Sequence, residues 1–315
     1  MVEQPQTAII AERLTKSFPG VHAVDHLSFD VRSEEIFGLV GPDGAGKTTT
    51  LRMLAGIMAP DEGTARVSGF DVVDDPEGAK HHLSYMPQRF GLYEDLTVEE
   101  NIRFYADLFG VRAAERQERS MQLLQAAGMK EFRKRLAGNL SGGMRQKLGL
   151  VCALIHHPKV VLLDEPTTGV DPVSRRDFWR ILYELVSQGV TILTSTAYLD
   201  EAERCHRVAL LHQGQLLFCD TPAHLKAKLG KGVLSITSSE PRRVRGQVEH
   251  TAGISSLVLT GDGLHVVVDD AARRIPELET RLKNARIPFD LIQQVTPTIE
   301  DLFVDAVGGG VSTHA

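Results

Sequence analysis

The sequence lacks any apolar run near the ~20 residues that a membrane-crossing helix needs. Its longest uninterrupted apolar stretches, such as Val151–Ile155 and Val160–Leu163, are the size of core segments. Met1–Thr7 is polar and carries Glu3, so no signal peptide is expected there. Any role at a membrane is therefore expected to pass through a partner. Cysteine is scarce: Cys152, Cys205 and Cys219 are an odd number with no metal-type spacing, as expected of reduced thiols in a cytosolic chain. Positive charge is not in excess, since 35 Lys and Arg face 41 Asp and Glu for a net charge of −6, which argues against a nucleic-acid partner. The pairs His81-His82 and His156-His157 have no companions at ligand spacing, so no transition metal is expected. The basic stretch Lys130–Arg135 reads as a solvated helix end.

What is present is an ordinary globular composition, 42% hydrophobic and 24% charged over 315 residues, enough for one large and one small domain. Short strands and helical patterns alternate. Ala8–Ile10, Leu27–Val31, Ile36–Val40, Thr64–Ser68, Leu83–Met86, Val160–Leu163, Val190–Thr194, Val208–Leu211 and Gln215–Phe218 read as strands. Leu51, Met53, Leu54 and Ile57 keep helical spacing, and residues from about 95 to 155 read as a helical insertion. Phe178–Val186 and Leu199–Arg204 read as further helices. The pattern predicts an α/β domain. Past Gly230-Lys231-Gly232 the texture changes to alternating strands with helices over 273–284 and 299–307, which predicts a small α+β domain over 233–307. Residues 308–315 read as a disordered tail.

Three motifs carry chemistry. Gly41-Pro42-Asp43-Gly44-Ala45-Gly46-Lys47-Thr48 fits the G-x-x-x-x-G-K-[ST] phosphate loop, between a buried strand and an amphipathic helix as that loop requires. Its amides can curve around phosphates, with Lys47 reaching the β/γ-phosphates, the Thr48 hydroxyl meeting Mg²⁺, and the helix from Thr49 adding its positive end. Downstream, Val160–Leu163 ends in Asp164 and Glu165. Asp164 can serve Mg²⁺, and Glu165 can polarise the attacking water. The third motif is Leu140-Ser141-Gly142-Gly143-Met144-Arg145-Gln146, whose amides open a helix and make a second anion site.

The third motif resembles the signature of the ABC (ATP-binding cassette) ATPases, and the resemblance covers about residues 7–225. It implies a P-loop NTPase cassette, a RecA-like core with a β subdomain and a helical subdomain, over residues 7–228, followed by the small C-terminal domain. It implies ATP and Mg²⁺ as cofactors. Phe18 resembles the aromatic that stacks on adenine. Gln88, in Tyr85-Met86-Pro87-Gln88, resembles the glutamine that touches Mg²⁺ and the membrane partner, and Asp171 resembles the D-loop aspartate. Thr48, Gln88 and Asp164 would serve the metal. Ser141, Gly142 and Gly143 would act across a dimer on the nucleotide of a second cassette. Each lesser feature has a plainer alternative: Phe18 as core, Gln88 as loop surface, Asp171 as a helix cap before Pro172.

Finer likeness is to ABC-2 exporter cassettes of the drug, polysaccharide and nodulation class, and especially to the N-terminal half of tandem multidrug-type ATPases. Gly41–Lys47, Glu165–Arg176 and the ending Thr298–Phe303 carry it. The resemblance implies an ATPase that powers export through an integral membrane permease, pairs with a second cassette as homodimer or heterodimer, and sits peripherally on the cytoplasmic side of the inner membrane. One departure stands out. Where the family places a histidine that contacts the γ-phosphate, this chain has Ala197, in Thr194-Ser195-Thr196-Ala197-Tyr198. A methyl group neither donates nor accepts a hydrogen bond. His206 and His212 fall on or after the next helix and read as surface residues. The departure implies a slow site, or a regulatory cassette that binds ATP and completes its partner's site.

Overall fold

The computed structural model describes residues 6–308. The chain divides into two compact units with the boundary between Cys219 and Asp220, slightly before the expected break at 228–233. Of the expected tail, all but Gly308 lies outside the described residues.

The first unit opens with strands β1 (Thr7–Phe18) and β2 (Val21–Arg32), paired antiparallel. Only their apolar parts carry a strand signal in the sequence. In the outer half of β1, with Glu12, Arg13, Thr15 and Lys16, Arg13 takes φ +50° at a break in register, and pairing with β2 and β4 rather than burial carries the strand past it. Next come β3 (Ile36–Val40) and α1 (Lys47–Leu54), then β4 (Glu62–Val67) and β5 (Phe70–Asp71). The first four-stranded sheet has the order β2-β1-β4-β5.

The chain continues through α2 (Pro76–His82), β6 (Leu83–Met86), α3 (Val98–Leu108), α4 (Ala113–Ala126), α5 (Gly142–Leu154), β7 (Val160–Asp164) and α6 (Pro172–Ser187). It then forms β8 (Thr191–Thr196), α7 (Leu199–Ala202), β9 (Arg207–His212) and β10 (Gln215–Asp220). The six-stranded sheet has the order β10-β9-β3-β8-β7-β6, with β6, β7, β8, β3 and β9 running parallel. Every residue of β3, β7 and β8 is buried, as covering both faces of a parallel sheet demands. One core joins the two sheets, with Leu14, Leu27 and Phe29 against Phe37, Leu51 and Leu193. The Phe29 and Phe37 rings stack at 5.5 Å. The expected helical insertion is α3, α4 and α5. It starts at a capping box between Thr97 and Glu100, and α5 packs on both α3 and α6.

The second unit holds α8 (Pro222–Lys228), β11 (Gly232–Thr237), α9 (Pro241–Val248), β12 (Ile254–Thr260), β13 (Gly263–Val268), α10 (Ala271–Asn284), β14 (Leu291–Val295) and α11 (Ile299–Val307). Its antiparallel sheet has the order β12-β13-β11-β14. From β11 to β14 this is the β-α-β-β-α-β arrangement of ferredoxin-like domains. Leu234, Val266 and Ile292 pack with Val244 and Val248 of α9 and Leu278 and Leu282 of α10. Helix α11 lies against β12, β13 and α8, which is why α8 belongs here rather than to the first unit. The sequence reading missed α2, α8 and α9. Each is seven or eight residues long, too short to show a period, yet each starts with proline directly after Asp75, Thr221 or Glu240.

Candidate nucleotide site

Parallel strands share direction, so the segments after β3, β6, β7 and β8 emerge at one edge of the sheet, where open α/β sheets bind ligands. Register tightens the gathering: Val40 pairs with Thr196, Asp164 with Ser195, and Met86 with Leu163. The phosphate loop, Gln88, Glu165 and Ala197 therefore meet, although they are far apart in sequence.

The loop needs its glycines for space. A Cβ at Gly41 would lie 2.3 Å from the Leu211 carbonyl oxygen. Gly46 takes φ +96°, and a Cβ there would lie 2.3 Å from the Ala23 carbonyl oxygen. The Ala45 N–H donates to Pro42 O across the turn at 3.2 Å, enclosing Asp43 and Gly44, and Thr49 follows in the first turn of α1. Lys47 is almost fully buried. Its Nζ donates to Gly41 O at 2.8 Å and Pro42 O at 3.0 Å, and lies 3.2 Å from Glu165 Oε1.

Asp164 is the hub. Its Oδ1 accepts from Thr48 Oγ1 at 2.9 Å and Ser195 Oγ at 2.8 Å, and its Oδ2 accepts from Tyr85 OH at 3.2 Å. Burial, with the Asp164 carboxylate next in weight, pushes the Tyr85 phenol up to about 12, so it remains a donor at neutral pH. Glu165 takes φ +48°, a left-handed backbone that costs a non-glycine residue ~1–3 kcal/mol. Two acceptors hold it there: its N–H donates to Ser195 Oγ at 3.0 Å and Ser195 O at 3.2 Å. Its Oε2 accepts from Gln88 Nε2 and Thr168 Oγ1, both at 3.3 Å.

The oxygen donors fit Mg²⁺. A hydroxyl on Thr48, a carboxylate on Asp164 and an amide oxygen on Gln88 are hard ligands, few enough to leave room for phosphate and water. Among the described residues no group of three or more His, Cys, Asp and Glu could hold a metal ion by itself.

Ser141, Gly142, Gly143 and Asp171 form a second cluster and make no hydrogen bond to the Lys47 group in the distances above. Ser141 caps α5, its Oγ accepting from Met144 N at 3.3 Å. Gly142 faces open space, whereas a Cβ at Gly143 would lie 2.5 Å from Ser174 Cβ on α6. Asp171 caps α6, accepting from Val173 N at 3.1 Å and Ser174 N at 2.9 Å, and these amides hold its carboxyl below the usual range. The cap is thus real and sits beside the signature turn. Phe18 stands exposed at the β1–β2 turn, so it is not core. Ala197 follows β8 directly and is half-buried. Tyr198 lies under the Arg175 guanidinium, 4.5 Å from ring centroid to Cζ, which occupies one face of its ring. His206 is at the far edge of the sheet, where its Nδ1 accepts from Ile36 N at 3.0 Å. In the sequence Tyr85 and Ser195 stand only as letters within motifs; their grip on Asp164 depends on register, which local patterns do not carry.

The ABC transporter family model matches residues 24–168. The probable multidrug ABC transporter ATP-binding protein YbhF of Escherichia coli (strain K12) is 44% identical over 307 residues, 96% of this chain and 52% of that protein, so the chain spans about half of YbhF's length. The Nod factor export ATP-binding protein I of Paraburkholderia xenovorans (strain LB400) is 36% identical over 96% of this chain and 98% of its own length. A solved ATP-binding subunit of an ABC transporter superposes with a TM-score of 0.64 at 31% identity, covering 71% of this chain and 94% of that one. With the Nod factor export relative matched over nearly its whole length, and with the phosphate loop, the acidic strand end and the signature turn in place, the chain belongs to the ABC transporter family as an ATP-binding subunit.

Proposed function

We propose that this protein binds and hydrolyses ATP to drive an ABC-2-class exporter, acting through a separate integral membrane permease and pairing with a second cassette. The reading places it peripherally, on the cytoplasmic side of the membrane; among the described residues no helix is long and apolar enough to cross one. The observation that carries it is the single hydrogen-bonded group formed by Lys47, Thr48, Asp164, Glu165 and Ser195 at the carboxyl edge of the parallel sheet. Lys47 and the loop amides bind and orient the phosphates. Glu165, aimed by its Ser195 anchors and steadied by Gln88 and Thr168, takes the proton of the attacking water. Thr48, Asp164 and Gln88 would hold Mg²⁺, which when bound would supply charge neutralisation at the phosphates. The unit ending at Cys219 holds all of these groups, and we assign dimer contact or regulation to the unit that follows. Export as the direction of transport rests on the name of the Nod factor export protein.

Purification from detergent-solubilised membranes tests the assignment. An integral membrane protein should copurify, and the complex should show Mg²⁺-dependent ATP hydrolysis that Glu165→Gln removes. Recovery of the chain without any membrane protein, and with hydrolysis indifferent to Glu165→Gln, would sink it.

Ala197 favours a second reading, a cassette whose own site turns over slowly while Ser141–Gly143 completes a partner's faster site. Loss of one preorganised donor at a reacting oxygen costs ~10²–10³ in rate. Ala197→His should then raise hydrolysis at this site by up to ~10²-fold, and brisk hydrolysis by the unaltered chain alone contradicts it.

A further inference from the structure

Away from the nucleotide site, helices α4, α5 and α6 enclose a cavity of about 330 Å³, at the lower end of the ~300–1,000 Å³ typical of ligand pockets. Its walls are largely apolar, with Leu123 from α4, Leu150 and Val151 from α5, and Ile181 from α6. None of these residues takes part in the phosphate network.

One end of the cavity carries a half-buried cation with no ion pair among the described residues. Arg119, on α4, lines the cavity, and its Nε is buried with no hydrogen-bond acceptor among the described residues. Burial alone acts on its guanidinium and pulls it below the usual arginine range. The neighbouring charges are engaged elsewhere. Glu115, one turn earlier, lies 3.6 Å from His157 and 4.0 Å from Arg112. Lys147, also on the wall, pairs with Asp177 at 3.1 Å. Glu184 stands exposed at the rim, in water rather than against Arg119. A buried donor without an acceptor is costly, and a guanidinium is built to take a carboxylate or sulfonate through paired N–H donors.

We propose that this cavity is a binding site for an amphipathic organic anion, with its apolar body between α4, α5 and α6 and its carboxylate on Arg119. The site is distinct from the nucleotide site but mechanically connected to it. Helix α5, which forms the cavity floor, begins at the signature turn Ser141–Gly143, and α6 begins at Asp171. An occupant therefore braces the helical segment against the two helices whose N-termini form the second cluster.

The test is calorimetric titration of the full chain with sodium octanoate, with ATP affinity measured alongside to report folding. Saturable binding near one per chain is expected, weakened at least about tenfold by Arg119→Gln, since a charge-assisted bond is lost. Ala126→Phe, which fills the wall from α4, should remove it. Octylamine should not compete. The proposal is overturned if octanoate does not saturate, if octylamine binds as tightly, or if both variants keep wild-type ATP affinity and unchanged octanoate binding.

Discussion

The two units of this chain are both built from helices on a sheet, yet they use buried polar residues in opposite ways. In the first, the partners are distant in sequence: Thr48 and Ser195 meet on Asp164, and Gln88 meets Glu165. In the second, most pairs close a local feature. Arg274 is clamped by Asp269 and Glu277 on either side of it in sequence, and Asp301 caps α11 through Thr298. The difference follows from strand direction. A parallel sheet needs crossovers, so its strand ends bring remote loops to one edge, where polar groups face one another. An antiparallel sheet returns its chain locally, and its polar groups mostly finish helix ends. Chemistry is therefore expected from the first unit and stability or contact from the second.

The sharpest way to break that contrast is Glu165→Gln. It should lower ATP hydrolysis by the ~10²–10⁴-fold a general base contributes, with ATP affinity retained, as single-turnover assay and titration would report. A comparable loss from any substitution in the second unit contradicts the division. The mirror-image change is Asp301→Ala, which removes a fully buried carboxylate that accepts from the Thr298 N–H and hydroxyl at 2.8 Å each. It should destabilise the second unit by ~2–3 kcal/mol in denaturant unfolding, with no change in ATP affinity. Ser195→Ala sharpens the comparison from the other side. Its hydroxyl donates to Asp164 and accepts from Glu165 N, so Mg²⁺-dependent ATP binding should weaken by about tenfold, a loss of ~1.4 kcal/mol. Unchanged Mg²⁺ dependence would reduce Ser195 to packing.

A smaller effect is expected with pH. His265 on β13 meets both oxygens of Asp301 at 3.2 Å, and this hydrogen bond holds its imidazolium above the usual histidine range against the opposing effect of burial. Because the folded value is raised, the contribution is fully present below about pH 6.5 and is lost as pH rises through the folded value. Melting of the second unit should fall modestly between pH 6 and 8, and His265→Gln should flatten the profile. Least of all should change on truncation before Asp220: the remaining chain keeps every phosphate-binding residue, and fluorescent-nucleotide titration should give wild-type affinity. Loss of binding by a folded truncation contradicts the independence of the two units.

Much of the site was legible because its signals are local. The glycines of 41–48 are required by backbone clearance at Leu211 and Ala23, and a buried apolar strand must end where Asp164 begins the polar edge. Asp171 was readable both as a D-loop residue and as a cap, and the cap is what its hydrogen bonds display. The polar half of β1 was not legible, since pairing with β2 and β4 rather than burial carries the strand past the register break at Arg13. Nor were α2, α8 and α9, although their Pro-initiated starts were in plain view.

By itself the sequence determined the phosphate loop, the acidic strand end, the signature turn and the order of the longer strands and helices, because each is written in residues adjacent along the chain. Only the tertiary structure decided that Tyr85 and Ser195 hold Asp164, that Glu165 is kept in a left-handed backbone, and that Arg119 Nε is buried beside a cavity with no acceptor among the described residues. The physical reason is range. Periodicity and turn chemistry act over a few residues, whereas strand register and helix packing bring together groups separated by tens to more than a hundred residues, and only that packing sets which of them meet.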